Sequence, residues 1–212
     1  DAEFGALKRN AINNDKVMTA AFDQLRPSIS EDDVAGIIRD AYSANGARRE
    51  FISVCFGENG AFPHHTSTER QLGSNEAILI DIGGRSEGYP SDMTRVGTIG
   101  TPPEDFDAVW TIVNRAVDAA LAAVKPGDPA MLVDKAARDV ITEAGYGDRF
   151  PHRTGHGLGI DVHEEPYITG TSRRPLEVGN VFSIEPGIYL PGRFGVRLEE
   201  IVIVREHGPE IL

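Results

Sequence analysis

The chain has 212 residues, 40% of them hydrophobic and 25% charged, enough for one domain with a sizeable core or two small ones. Its formal charge of −12 would repel a duplex phosphate backbone, which sets nucleic acid aside as a partner. The longest apolar runs, such as AALAAV at 119–124, are too short to span a bilayer, and nothing in the composition is disordered or collagenous.

Residues 2–25 have helical character that stops before Pro27. Ser30 is a good N-cap with acids behind it, and apolar spacing continues to Gly46. FISVCFG (51–57), AILIDIG (77–83) and YPSDMTRVGTI (89–99) read as strands. A long helix is expected from Pro103 to Val124, ending at KPG, and another from Pro129 to about Ala144. VFSIEPGIYL (181–190) and VRLEEIVIV (196–204) read as further strands. Cys55 is the single cysteine, so it forms no internal disulfide, and its apolar surroundings predict a buried packing role. The chain starts with Asp and opens directly in a helical pattern, which suggests a piece of a longer polypeptide. No basic segment precedes an apolar one as in a signal peptide, so a cytoplasmic location is the default expectation.

Helix, helix, strands: this order occurs twice. LRPSISEDDVAGIIRDAYSANG (25–46) lies over VKPGDPAMLVDKAARDVITEAG (124–145) at a constant offset of 99 residues. Pro27, Val34, Arg39, Asp40 and Gly46 meet Pro126, Val133, Arg138, Asp139 and Gly145. At the same offset His64 falls on His163. LGSNEAILIDIG (72–83) matches LEVGNVFSIEPG (176–187), which puts Asp81 on Glu185, and a further slip puts Asp92 on Glu199. The expected organisation is therefore one domain over 1–212 with related halves, about 1–100 and 101–212. A pseudo-twofold between them would bring their strands into one sheet and the matched acids to the axis.

Asp81 follows AILI and Glu185 follows VFSI, both apolar runs in which an ionised carboxylate is costly unless paired or bound to a cation. One such acid would be an ordinary ion-pair partner; two at matching positions favour a metal. Asp92 and Glu199 add two more, and Asp81 and Asp92 are spaced to sit on antiparallel strands joined by the GGRSEG turn. Four carboxylates with one or two imidazoles make a hard, oxygen-rich site, suited to Mn²⁺, Co²⁺ or Fe²⁺. They carry more charge than one divalent ion needs, and two ions roughly 3.5–4 Å apart would balance it. HRTGHGLGIDVHEEPY (152–167) holds His152, His156 and His163, of which His156 has no histidine counterpart at the offset, where Gly57 stands. His64 and His65 are adjacent, so one of the two reads as incidental, and His207 reads as solvated. The segment lacks the third glycine of a dinucleotide fingerprint, since Ile160 takes that place, and Tyr167 stands where HExxH would have its second histidine.

Taken together, LIDIGGRSEGYPSDMTR, HRTGHGLGIDVHEEP, SIEPGIY and GVRLEE resemble the pita-bread-fold metallopeptidases, and within them the proline-peptidase branch of Xaa-Pro dipeptidase (prolidase) and aminopeptidase P. The resemblance implies an α/β fold of α+β type: a pseudo-twofold duplication with a curved antiparallel sheet and helices on its convex face. It makes Asp81, Asp92, His156, Glu185 and Glu199 the ligands of two divalent ions, Mn²⁺ first, with Co²⁺, Fe²⁺ or Zn²⁺ as alternatives. Asp92 and Glu199 would bridge both ions, Asp81 would complete one, and His156 and Glu185 the other. His64, His152 and His163 match substrate-side histidines and Arg197 a supporting arginine. Glu200 stands where the family usually has Asp, which preserves the charge. The implied reaction is cleavage of an Xaa-Pro bond in a small peptide by hydroxide held between the ions, with Glu185 moving the proton and His163 stabilising the oxyanion. Arg173 or Arg174 would hold a substrate carboxylate. The family's N-terminal domain, which walls the site and often does so across a dimer, has no counterpart in these residues, and a homodimer is expected of the full-length form. The competing readings are a hydrolase of another small amide or amidine on the same metal core, and a non-catalytic binding module on the same fold.

Overall fold

The computed structural model describes residues 2–212, and their contacts divide them into two units. The first runs up to Asp107 and includes Tyr189–Val196; the second holds Ala108–Ile188 and Arg197–Leu212.

In the first unit α1 (Ala2–Asp23) is followed by α2 (Glu31–Ala44). The start of α2 is where the sequence placed it. Ser30 Oγ accepts from Asp33 N at 3.0 Å, and Asp33 Oδ2 accepts from Ser30 N at 3.1 Å, a reciprocal cap that satisfies two amides. Strands β1 (Arg48–Phe56), β2 (Glu76–Ser86), β3 (Tyr89–Pro90) and β4 (Met93–Ile99) form a four-stranded antiparallel sheet in which β2 pairs with all the others. Val34, Ile38 and Tyr42 recur every four residues along α2, and Ile78, Ile80 and Ile82 every two along β2. Both stripes enter one buried cluster with Val17, Met18 and Ala21 of α1 and Val54 and Phe56 of β1. Cys55 is buried in β1, as expected of a packing residue.

The hairpin between β2 and β3 differs from its expected form. β2 continues through Gly83, Gly84 and Arg85, and the reversal is confined to Glu87 and Gly88, with φ of 54° and 87°. A two-residue loop with both φ positive matches the twist of the flanking strands, whereas a six-residue GGRSEG turn would have cost β2 its pairs to Arg48 and Arg49.

The second unit contains α3 (Phe106–Ala123) from Ala108 onward, α4 (Met131–Glu143) and a five-stranded antiparallel sheet. The sheet is built from β5 (Gly155–Gly157), β6 (Glu164–Ile168), β7 (Val181–Ile184), β10 (Glu200–Arg205) and β11 (Gly208–Ile211), in the order β11-β10-β7-β5-β6. Between β7 and β10 come β8 (Gly187–Leu190) and β9 (Phe194–Arg197), which pair as a hairpin. Hydrogen bonding among the described strands falls into three sheets of four, five and two strands. The pairings are mostly between strands close in the chain, which close with less loop entropy than distant ones. Ile201, Val202, Ile203 and Val204 are all buried, so β10 is covered on both faces. Among the described residues no helix is long and apolar enough to cross a membrane.

Candidate metal centre

Three segments that read as unbroken strands are interrupted, and each interruption holds an acid singled out from the sequence. Ser91–Asp92 separates β3 from β4, Glu185–Pro186 separates β7 from β8, and Leu198–Glu199 separates β9 from β10. At Glu185 the cause is Pro186, which has no amide to give a ladder and restricts the residue before it. Asp81 differs: it stays within β2, opposite Ser53 of β1 and Thr94 of β4.

In the first unit Asp92 is buried and Asp81 Oδ1 is shut away from solvent. The Ser91–Asp92 interruption is anchored by α1 and α2. Ser91 N donates to Gly84 O at 2.7 Å, and Ser91 Oγ and Tyr42 Oη both donate to Asn14 Oδ1, at 2.8 and 2.6 Å. Burial first, then the charges of Asp92 and Asp81, push the Tyr42 phenol well above its ordinary pKa, so it remains a donor. His64 is exposed on the loop after the 3₁₀ turn at Gly57–Ala61. Its neighbour His65 is not incidental. His65 Nε2 lies 2.9 Å from Glu31 Oε2, and Glu31, fully buried at the first turn of α2, also accepts from Phe56 N, Asn59 Nδ2, Thr68 N and Thr68 Oγ1. Burial raises the Glu31 carboxyl, but these hydrogen bonds, His65 foremost, outweigh it and hold the pKa below the ordinary value.

In the second unit the structure brings His156, Glu185 and Glu199 together. His156 Nε2 is 3.2 Å from Glu185 Oε1, and His156 and Glu199 offer ligand atoms within 4.8 Å of each other. His156 Nδ1 donates to Gly157 O at 3.1 Å, which fixes the ring and turns Nε2 toward the carboxylates. Buried Ser183 joins His156 to Glu185: its Oγ accepts from His156 N and donates to Glu185 Oε1, both at 3.0 Å. Burial raises the Glu185 carboxyl, yet the hydrogen bond and charge of His156, with charge from Arg197 and His152, bring it down to about 2. Arg197 is buried at the end of β9, two residues before Glu199. The His163 ring, on an exposed residue, lies 4.2 Å from that of His156. His152 Nδ1 donates to Arg153 O at 2.7 Å, and its ring stands edge-on to Phe150 at 5.0 Å. Arg173 and Arg174 are exposed, and Arg174 Nη1 lies 3.9 Å from Glu165 Oε2.

The glycines flanking His156 answer to the packing of neighbouring strands. A Cβ at Gly155 would lie 1.8 Å from Ser183 O, and one at Gly157 2.5 Å from Glu165 O. What crowds them is backbone of β7 and β6, so they permit the strand packing that sets His156 beside Glu185.

This donor set fits a divalent cation. Two ligand atoms each about 2.1 Å from one ion, at angles between octahedral and tetrahedral, lie about 3.0–3.4 Å apart, which brackets the separation of His156 and Glu185. One imidazole among carboxylates, with no thiolate, is the chemistry of a hard to borderline ion. Ser183 was not singled out from the sequence; its position two residues before Glu185 on the same strand face was the available signal. Glu31 and Asp134 left a fainter one, as acids on helices with many exposed acids around them.

Residues 5–206 match metallopeptidase family M24. The chain is 45% identical to probable dipeptidase PepE of Mycobacterium tuberculosis over 210 residues, 98% of this chain and 56% of that protein. It superposes on prolidase from Pyrococcus furiosus with a TM-score of 0.97 at 34% identity, covering 100% of this chain and 63% of that one. On the X-Pro aminopeptidase from Thermotoga maritima the TM-score is 0.96 at 36% identity, covering 99% and 60%. The mixed α/β fold with antiparallel sheets is therefore the pita-bread fold of the prolidases, and the chain spans little more than half the length of the curated relatives it matches. With that fold, a match over nearly its whole length, and a histidine and two glutamates converging in its second unit, this chain belongs to metallopeptidase family M24.

Proposed function

We propose that the protein is a metal-dependent peptidase that cleaves the bond before proline in small peptides, as a dipeptidase or an aminopeptidase. The observation that carries this reading is the convergence of His156, Glu185 and Glu199, with Ser183 bonded to two of them. The names of the relatives, a dipeptidase, a prolidase and an X-Pro aminopeptidase, support the substrate class. Asp81, Asp92, His156, Glu185 and Glu199 would hold two divalent ions, Mn²⁺ ahead of Co²⁺, Fe²⁺ or Zn²⁺. Bound there, the ions supply an activated water near neutral pH and polarise the scissile carbonyl.

Glu185 is the proton carrier. The charge of Arg197 favours its ionised form, as a base must have, and Ser183 fixes one of its oxygens. It takes the proton of the attacking water and delivers it to the proline nitrogen, which is tertiary in the substrate and leaves only when protonated. His163 donates to the oxyanion that develops on the carbonyl oxygen. His64 and His152 orient the substrate; with Nδ1 of His152 committed to Arg153 O, Nε2 is its substrate-facing nitrogen. The same reading takes the full-length form as a cytoplasmic homodimer.

The test is hydrolysis by Mn²⁺-loaded protein of Ala-Pro and of a longer Ala-Pro-Ala peptide. Cleavage of the dipeptide alone indicates a dipeptidase, and release of Ala from the tripeptide an aminopeptidase. Metal-loaded protein that leaves both intact while hydrolysing another amide overturns the proline assignment.

A further inference from the structure

Asp134, on α4, is 1% exposed, and its carboxylate accepts four hydrogen bonds. Arg138 Nε and Nη2 donate at 3.0 and 2.9 Å, Thr154 N at 3.1 Å and Thr154 Oγ1 at 2.8 Å. A helical i,i+4 ion pair needs no burial to form, and burying one brings a desolvation cost that an apolar pair would avoid. The other contacts of this pair show what it holds. Arg138 Nη1 donates to Phe150 O at 3.0 Å and Nη2 to His152 O at 2.9 Å, and the guanidinium covers the Phe150 ring at 4.2 Å. The His152 ring packs edge-on against that same Phe150. Thr154 O in turn accepts from Glu185 N at 2.8 Å. One ion pair thus fixes positions 150, 152 and 154, the segment that leads into His156 and grips the backbone of Glu185.

We propose that Asp134 and Arg138 are positioning residues, a clamp that sets Phe150–Thr154 so that His152, His156 and Glu185 keep their mutual places. Neither clamps by touching the reacting groups: Asp134 acts through Thr154, and Arg138 through the Phe150 and His152 carbonyls. The clamp belongs to one half of the duplication. At the offset of 99 residues Arg39 stands opposite Arg138, but Ala35 stands opposite Asp134, just as Gly57 stands opposite His156. The half that carries His156 is the half with an acid at this helix position; the first half's buried acid, Glu31, stands instead opposite Ala130.

This inference rests on the metal-site reading above, and the experiment separates the two. Mn²⁺ affinity is measured by titration calorimetry on the 212-residue chain and on Asp134→Asn, Thr154→Val and Thr154→Ser. Groups that orient metal ligands typically change metal affinity by about 10- to 100-fold when removed. Asp134→Asn and Thr154→Val are expected to weaken Mn²⁺ binding by about that factor, while Thr154→Ser, which keeps the hydroxyl donor, stays at the wild-type value. Thr154→Val leaves the ion pair in place and keeps the test open if Asp134→Asn does not fold. Arg70→Met, which breaks the Arg70–Glu76 pair of the first unit, controls for general destabilisation and is expected to keep wild-type affinity. Wild-type affinity in both Asp134→Asn and Thr154→Val, or equal weakening in Thr154→Ser, overturns the clamp alone. A wild-type chain that takes up no metal overturns the metal-site reading and the clamp with it.

Discussion

Replacing Glu31 by Gln tests whether the first unit depends on a buried carboxylate that its sequence does not advertise. The ionised side chain accepts from five donors: Phe56 N and Asn59 Nδ2 on Oε1, and His65 Nε2, Thr68 N and Thr68 Oγ1 on Oε2. Glutamine keeps an oxygen for the first pair but turns an NH₂ toward the other three. Leaving a buried donor without an acceptor costs about 1–3 kcal/mol, and the Thr68 hydroxyl can rotate to suit, so the two remaining donors give about 2–6 kcal/mol of lost stability. Because the pKa of folded Glu31 lies below its ordinary value of 4.5, its contribution is fully present above that value. It is lost as pH falls through the lower, folded value. Urea unfolding of wild type and Glu31→Gln, followed by far-ultraviolet circular dichroism, is expected to show the full difference at pH 7 and a shrinking one below about pH 4.5. Exchange of the Phe56 and Thr68 amides reports the same loss locally. A stability difference under about 0.5 kcal/mol at pH 7, the range of ordinary surface changes, or one that does not shrink on acidification, would refute the reasoning.

Ser183→Ala removes the hydroxyl that joins His156 N to Glu185 Oε1, and Co²⁺ or Mn²⁺ titration is expected to show affinity lowered by about 10- to 100-fold with the fold intact. Gly155→Ala places a Cβ 1.8 Å from Ser183 O, so β5 must leave β7, and metal binding is expected to fall more steeply than in Ser183→Ala. Ile80→Ala, in the middle of β2 and fully buried, is expected to cost about 2–5 kcal/mol in urea unfolding without changing the number of ions bound per folded chain.

Much of this arrangement is legible in the chain. The cap at Ser30 follows from a hydroxyl before three acids, and the buried stripes of α2 and β2 follow from spacings of four and two. Asp81 and Glu185 stood out because carboxylates beside apolar runs need a partner, and Asp92 and Glu199 because they fall on each other in the duplication. The sequence did not reveal that three of the four lie at strand interruptions, since apolar residues continue on both sides and only Pro186 marks a break. Nor did it show β5 and β6, which have three and five residues and no period-two pattern. Gly155 and Gly157 are strand residues pressed against neighbouring backbone, which nothing in their own stretch indicates. His65 and Asp134 show a different limit: the partner that gives each its role lies 34 or 20 positions away, and nothing local distinguishes them from a solvated histidine or an ordinary helix acid.

The measurement closest to the centre of this reading is metal stoichiometry after equilibrium dialysis against Mn²⁺, by elemental analysis of the wild-type chain and of Asp92→Asn and Glu185→Gln. About two ions per wild-type chain are expected, as four carboxylates and one imidazole would balance, with a marked loss in each variant. A wild-type chain that retains no ion, or variants that retain as many as the wild type, would contradict it.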